Sequence, residues 1–340
     1  MQKLVLLGDE AIAQGAIDAG ITGIYAYPGT PSTEITEYVM NAKEAKSGNI
    51  KAVWCANEKT AMETAIGVSY VGKRAMVCMK HVGLNVAADA FINSAMTGAN
   101  GGLVVVSADD PSMHSSQNEQ DSRFYGKFAM MPILEPYNQQ EAYDMVQYGF
   151  DISEKLEIPV LIRITTRLAH SRAGIIRNDD IRDQNEMVLP SDPLQYILVP
   201  FSARIRYKLL LDKLPRYEVA SEISRYNIYY DAPDKSLGII TAGIAYNYLM
   251  ENFPDRVIPY PVLKIGQYPL PGKMVERIYD ECDNLLLLEE GAPFIEEMLK
   301  GYLDKGKTIK GRLEGSIPRE GELNPNIVAA ALGLSVNTGF

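Results

Sequence analysis

The chain has 340 residues, 43 acidic against 33 basic, for a net charge of −10, and 46% of its residues are hydrophobic. That length suits about two domains. No run of about 18 apolar residues offers a membrane span, and scattered Lys and Arg without a basic stripe argue against nucleic-acid binding. The three cysteines, Cys55, Cys78 and Cys282, form no C-x-x-C pair. They read as buried, reduced thiols of a cytoplasmic protein rather than a disulfide framework or a metal cluster. For the same reason the chain is expected to carry no iron–sulfur cluster of its own. The opening "MQKLVLLGDE" is an apolar patch soon interrupted by Asp9 and Glu10, without a small-residue cleavage site, and is not read as a signal peptide.

From residue 21 strand-like and helix-like stretches alternate. "ITGIYAY" (21–27) predicts a strand, and "PGTPSTE" a turn into a helix over 34–47, with Ser32 or Thr33 as its cap. A short strand follows at 51–56. Ala61, Met62, Ala65, Ile66 and Ser69 have helical spacing, which predicts a helix over 58–71 closed by Gly72. "RAMVCMK" reads as a strand, 84–97 as a helix, "GGLVVVSA" as a strand, 139–156 as a helix and "IPVLIRITT" as a last strand. This alternation predicts a parallel sheet covered on both faces. Residues 176–234 read as a connecting segment with a helix near 203–226. Alternation resumes at "SLGIITAG" and runs through "VIPYPVLKI" and "NLLLLEE" as a second, smaller α/β domain over 235–312, before a tail, 313–340, with one short helix.

Ligands of open parallel sheets bind at the carboxyl ends of the strands. Four loops are expected there: "YPGTPSTE", "ANEK", "KHVGLN" and the long, polar "SADDPSMHSSQNEQDSR". Glu58, in "WCANEK", has two readings. Asn57 is a good N-cap and an acid in the first turn suits the helix dipole; alternatively Glu58 is a buried carboxylate with chemistry to do. His81 and His114 lie on these loops and His170 follows the last strand. None has metal-ligand spacing, and no G-x-S-x-G elbow, P-loop or dinucleotide fingerprint is present.

Together "YPGTPSTEI", "NEKTAMETAIGVSYVGKRAMVCMKHVGLNVAADA", "GGLVVVSADDPSMHSSQNEQDSR" and "LEPYNQQEAYDMV" resemble the amino-terminal domain of the indolepyruvate:ferredoxin oxidoreductase alpha subunit, a thiamine-diphosphate-dependent 2-oxoacid:ferredoxin oxidoreductase. "LGIITAGIAYNYLME", "LKIGQYPLP", "LLLLEEGAPFIEE" and "PREGELNPNIV" are similar to the next domain of that subunit, which is like the carboxy-terminal domain of transketolase. The resemblance covers nearly the whole chain and is weakest over 175–232. It implies a pyrimidine-binding fold over 1–175 and a transketolase C-terminal-like domain over 235–312. It also implies that Glu58 hydrogen-bonds the cofactor's aminopyrimidine and promotes its imino tautomer, so that the imino nitrogen can deprotonate the thiazolium carbon. Thr30 matches a threonine near the substrate. His81 becomes a candidate proton donor or substrate contact, Gly83 and Asn85 lie on the loop beside the aminopyrimidine, and His114, Gln117 and Arg123 become candidate substrate contacts.

The resemblance further implies oxidative decarboxylation of aryl pyruvates such as indolepyruvate to an acyl-CoA, with CoA and ferredoxin as co-reactants and a beta subunit as partner. The chain has no G-D-G, the start of the motif that holds the diphosphate and Mg2+. Mg2+, the diphosphate-binding domain and the iron–sulfur clusters are therefore expected on domains or chains not present here. The chain is read as an engineered fragment, a truncated gene product or half of a split enzyme, oligomeric and a weak cofactor binder alone. The alternatives are a relative acting on another 2-oxoacid, or a non-catalytic assembly module.

Overall fold

Residues whose strands lie inside a doubly covered sheet carry apolar side chains on both faces, and "AMVCMK" and "LVVVSAD" are buried at every position. The computed structural model describes residues 2–179, 181–255, 257–302, 307–312, 314–318 and 321–336. The first elements are β1 (Gln2–Leu7), α1 (Gly8–Asp18), β2 (Gly23–Ala26), α2 (Thr33–Asn41), α3 (Lys43–Lys46), β3 (Lys51–Trp54), α4 (Glu58–Tyr70), β4 (Ala75–Lys80), α5 (His81–Thr97) and β5 (Leu103–Asp109). Then come α6 (Ser122–Phe128), β6 (Ile133–Leu134), α7 (Gln139–Leu156), β7 (Val160–Thr165), α8 (Thr166–His170) and β8 (Arg172–Arg177). The rest are α9 (Pro200–Glu222), β9 (Ile228–Tyr230), β10 (Gly238–Ala242), α10 (Ala245–Glu251), β11 (Val262–Ile265), β12 (Gln267–Tyr268), α11 (Gly272–Glu281), β13 (Leu285–Leu288), α12 (Phe294–Tyr302), β14 (Ile309–Lys310) and α13 (Pro325–Ala331).

A seven-stranded sheet has the order β12-β6-β7-β5-β4-β2-β3, parallel except for β12. A five-stranded sheet, β14-β13-β10-β11-β9, is parallel except for β9. The fold is α/β with two mainly parallel sheets. From β2 the chain crosses outward to β3, and from β4 it crosses the other way to β5. The carboxyl ends of the neighbours β2 and β4 thus flank a topological switch point, where open α/β sheets bind ligands.

Three features depart from the sequence reading. β8 runs across the expected boundary at 175 and pairs antiparallel with β1, Gln2 opposite Arg177. The segment expected to connect the units folds back on the first: Arg182 N donates to Asp18 O, Val188 N to Val71 O, and the Gln184 side-chain amide to the Ile21 and Asn49 carbonyls. β9 lies before residue 235 yet forms an edge of the five-stranded sheet. The expected tail helix is α13, which packs on α10; the end of the tail, 337–340, lies outside the described residues.

Candidate active site

α4 starts where the chain leaves β3. Asn57 caps it, its Oδ1 accepting from Thr60 N at 2.9 Å, while the Thr60 hydroxyl donates to Asn57 O at 2.9 Å. The cap is complete without Glu58, whose side chain turns inward and is 9% exposed. Its carboxylate has no hydrogen-bond or ion-pair partner among the described residues. A largely buried carboxylate in that condition is free to accept from a donor outside the chain. Opposite it stands Gly83, in the first turn of α5. A Cβ there would lie 2.6 Å from Glu58 Oε1 and 2.7 Å from its Cγ, so only glycine allows the approach.

The neighbouring loops converge on this pair. Lys80, at the end of β4, is 9% exposed; its stem passes beneath Gly29 and its ammonium donates to Ser115 O at 3.1 Å. Ser115 Oγ in turn donates to Thr30 O at 3.2 Å, leaving the Thr30 side chain at the exposed rim. Asp110 anchors the long loop: it accepts from the Ser115 amide at 2.8 Å and from the Ser116 and Thr166 hydroxyls at 2.7 Å each. Burial opposes its charge, but these bonds outweigh burial and hold the carboxyl below the usual range. Asn85 is exposed and accepts from the Tyr125 hydroxyl at 2.9 Å. Gln117 is exposed on the same long loop.

Two expected contacts are not available to a substrate in this geometry. His81 is wholly buried, with Nε2 2.9 Å from the Asn118 carbonyl oxygen. A carbonyl only accepts, so Nε2 carries the proton, and the ring ties the long loop to the start of α5. Arg123 is also wholly buried. Its guanidinium donates to Asp121, to Glu289 at 2.9 Å, and to the Glu290 and Ala292 carbonyls at 3.1 and 3.0 Å. Its donors serve the contact between the two sheets and not a ligand. His114 stands apart from Glu58 in another sense: it is exposed, its Nε2 lies 2.9 Å from Glu322 Oε2, and it lines a cavity of about 290 Å³ with Thr166, Arg167, His170, Ser171 and Glu322.

Lys80, Ser115 and Asp110 organise the site although none was singled out from the sequence for a role of its own. Arg163, inside β7, was missed as well. It is buried, pairs with Asp109 at 2.7 Å and with Glu135, and donates to Glu290 O at 2.8 Å. The available signal was an arginine inside the apolar run "VLIRIT", where a charge requires a partner.

Residues 14–204 match the family described as pyruvate flavodoxin/ferredoxin oxidoreductase, thiamine diphosphate-binding. The indolepyruvate oxidoreductase subunit IorA of Archaeoglobus fulgidus is 40% identical across 100% of this chain and 55% of its own length. The protein of the same name from Methanothermobacter thermautotrophicus is 36% identical across 97% of this chain and 54% of its own length. The chain therefore spans about half the length of the curated relatives it matches. Among solved structures, 2-oxoglutarate:ferredoxin oxidoreductase from Magnetococcus marinus superposes with a TM-score of 0.79 at 16% identity, over 97% of this chain and 65% of that one. A split-gene transketolase, an inactive β4 tetramer, superposes with a TM-score of 0.58 at 14% identity, over 96% and 97%. At such identities these two likenesses concern the fold, which is a pyrimidine-binding α/β unit followed by a transketolase C-terminal-like one. By the match over more than half its length, the chain belongs to the pyruvate flavodoxin/ferredoxin oxidoreductase, thiamine diphosphate-binding family.

Proposed function

We propose that the chain is the pyrimidine-binding part of a 2-oxoacid:ferredoxin oxidoreductase subunit that acts on aryl pyruvates such as indolepyruvate. The observation that carries the reading is the buried, unpartnered Glu58 carboxylate facing Gly83 at the switch point. An aminopyrimidine suits both: it offers a ring nitrogen to a carboxyl and a flat face to a glycine. When bound, thiamine diphosphate supplies the carbon nucleophile and electron sink that 2-oxoacid decarboxylation needs. The chain's own part is positional and protonic. Glu58 holds a proton against the ring nitrogen and keeps it from water. Gly83 leaves room for that contact, and Lys80, through Gly29 and Ser115, fixes the rim on which Thr30 stands. Asn85 and Gln117 lie at the exposed mouth for contact with substrate or partner.

The diphosphate and Mg2+ fall to a G-D-G-bearing domain or chain, and electron transfer to iron–sulfur clusters and ferredoxin, with CoA accepting the acyl group. The aryl-pyruvate preference rests on the sequence similarity to the indolepyruvate oxidoreductase subunits. The test uses the full subunit assembled with its partner subunit. Glu58→Gln should lower indolepyruvate-dependent reduction of a viologen dye by on the order of 100-fold. A near wild-type rate would remove the role given to Glu58. Pyruvate and 2-oxoglutarate turning over as fast as indolepyruvate would remove the aryl preference and leave that role standing.

A further inference from the structure

A second buried carboxylate is left without partners, in the first turn of α1. Asp9 has no exposed surface, and neither of its oxygens has a hydrogen-bond partner among the described residues. It is not needed as a cap, because Glu10 accepts from Leu7 N at 2.8 Å and closes that turn. The other acid of the helix, Asp18, is paired with Arg177. Burial, and then the charges of Glu34 and Glu10, push the Asp9 carboxyl well above the usual range. No Lys or Arg forms an ion pair with Asp9 among the described residues, so its two oxygens are left for a cation from outside the chain.

Two further side chains are aimed at the same point. Glu34, in the first turn of α2, presents Oε2, a buried atom with no hydrogen-bond partner. His170, the last residue of α8, places Nε2 3.6 Å from that oxygen, too far for a hydrogen bond and suitable for two ligands of one ion. One ligand atom from each of Asp9, Glu34 and His170 lies within 4.8 Å of the others. The backbone holds two of the three elements together: Gly8 N donates to Ser171 O at 3.2 Å, joining the start of α1 to the end of α8. His170 also lines a cavity of about 290 Å³ beside Thr166 and Ser171, so this edge of the site lies next to open space.

We propose that Asp9, Glu34 and His170 bind one divalent transition-metal cation of the zinc or manganese class. Two carboxylates balance a charge of two. The imidazole and the small ligand number favour such a cation over calcium or magnesium, which take oxygen-rich shells. The site joins the ends of three helices beside the loop that carries Thr30, and it does not depend on the role given to Glu58.

The test is a titration of the chelator-stripped full chain with Mn2+, followed by the loss of the free-ion electron paramagnetic resonance signal, with Zn2+ as competitor. One equivalent should bind and raise the melting temperature. Asp9→Asn keeps the side chain's shape, and His170→Gln changes an exposed position; each should weaken binding at least tenfold, and Asp9→Asn should abolish the metal-dependent rise in melting temperature. Absence of stoichiometric binding of both ions would overturn the proposal, as would unchanged affinity in the two variants. If Asp9 is simply a neutral acid, Asp9→Asn melts at or above the wild-type temperature and metal shifts neither protein, which also overturns it. If Asp9→Asn fails to fold, His170→Gln decides alone.

Discussion

Glu58 and Asp9 are both buried carboxylates at the first turn of a helix, and neither helix uses its carboxylate as the cap. What separates them is the opposite wall: a glycine for Glu58, another acid and an imidazole for Asp9. The Gly83 wall gives a sharp prediction. Gly83→Ala should add about 0.5–1 kcal/mol of helix propensity in α5, offset by displacing the flexible end of Glu58. Stability should stay nearly level while cofactor-dependent activity of the assembled enzyme falls at least tenfold. Paired melting curves and cofactor titrations check this, and an unaltered titration would show that the close approach has no role. At this scale the sequence was informative where a motif carried the chemistry, as "NEK" did for Glu58. It was uninformative where the partner is distant. Arg123 reads as a loop arginine, because its acceptors Glu289 and Glu290 are 166 and 167 residues away.

Among the elements, α7 and α9 are opposites. α7 is capped by Asn138, whose Oδ1 accepts from Glu141 N at 2.8 Å, and it buries residues along its whole length. α9 is capped by no side chain of Val199, only by the Ser202 hydroxyl, which accepts from Val199 N at 3.1 Å; it contains Pro215 and buries just Leu210, Tyr217 and Ser221. Proline at 215 removes the amide that would bond the Leu211 carbonyl, and Phe201, Ile205 and Leu211 face solvent. Helical stability comes mainly from a packed face. In hydrogen exchange of the isolated chain, amides over 201–211 should therefore exchange on the order of 100-fold faster than those over 142–153. Equal protection would mean that α9 is held by something other than these contacts. The long, periodic elements were legible, α7 to the residue. The two-residue strands β6 and β12 were not, since so short a run has no period and exists through its pairing alone.

Across the whole molecule the two sheets are locked by Arg123 and Arg163 among Asp109, Asp121, Glu135 and Glu289, with Glu290 behind them. Burial raises the carboxyls of Glu289 and Glu290 to about 7. For Asp121, burial is outweighed by Arg123 and Arg163, which lower it to about 2. A carboxyl raised in the folded state binds a proton that the unfolded state has already released. The contribution of Glu290 to stability thus falls as pH rises from about 4.5 to about 7, while that of Asp121 is lost as pH falls below about 4. Glu290→Gln keeps an acceptor for Leu323 N, which now bonds Glu290 Oε1 at 3.1 Å. It should match the wild type at pH 5 and exceed it by about 2 kcal/mol at pH 8. Urea unfolding at the two pH values measures this, and a less stable variant at pH 8 would refute it. Two α/β units were legible from alternation, but their interlocking was not, because it depends on residues such as Glu135 and Glu289 that meet only in space.

The strand β12 has one more consequence. Gln267 and Tyr268 lie antiparallel to Leu134 and Ile133, and the Tyr268 hydroxyl donates to Glu135 at 2.7 Å. The later part of the chain thus supplies the last strand of the earlier part's sheet. A recombination crossover between residues 178 and 227 would pass on a sheet with an open edge, with Arg123 parted from the Glu289 carboxylate and Arg163 from the Glu290 carbonyl. Exchange of either half alone would therefore have to supply that strand and its tyrosine in the replacement.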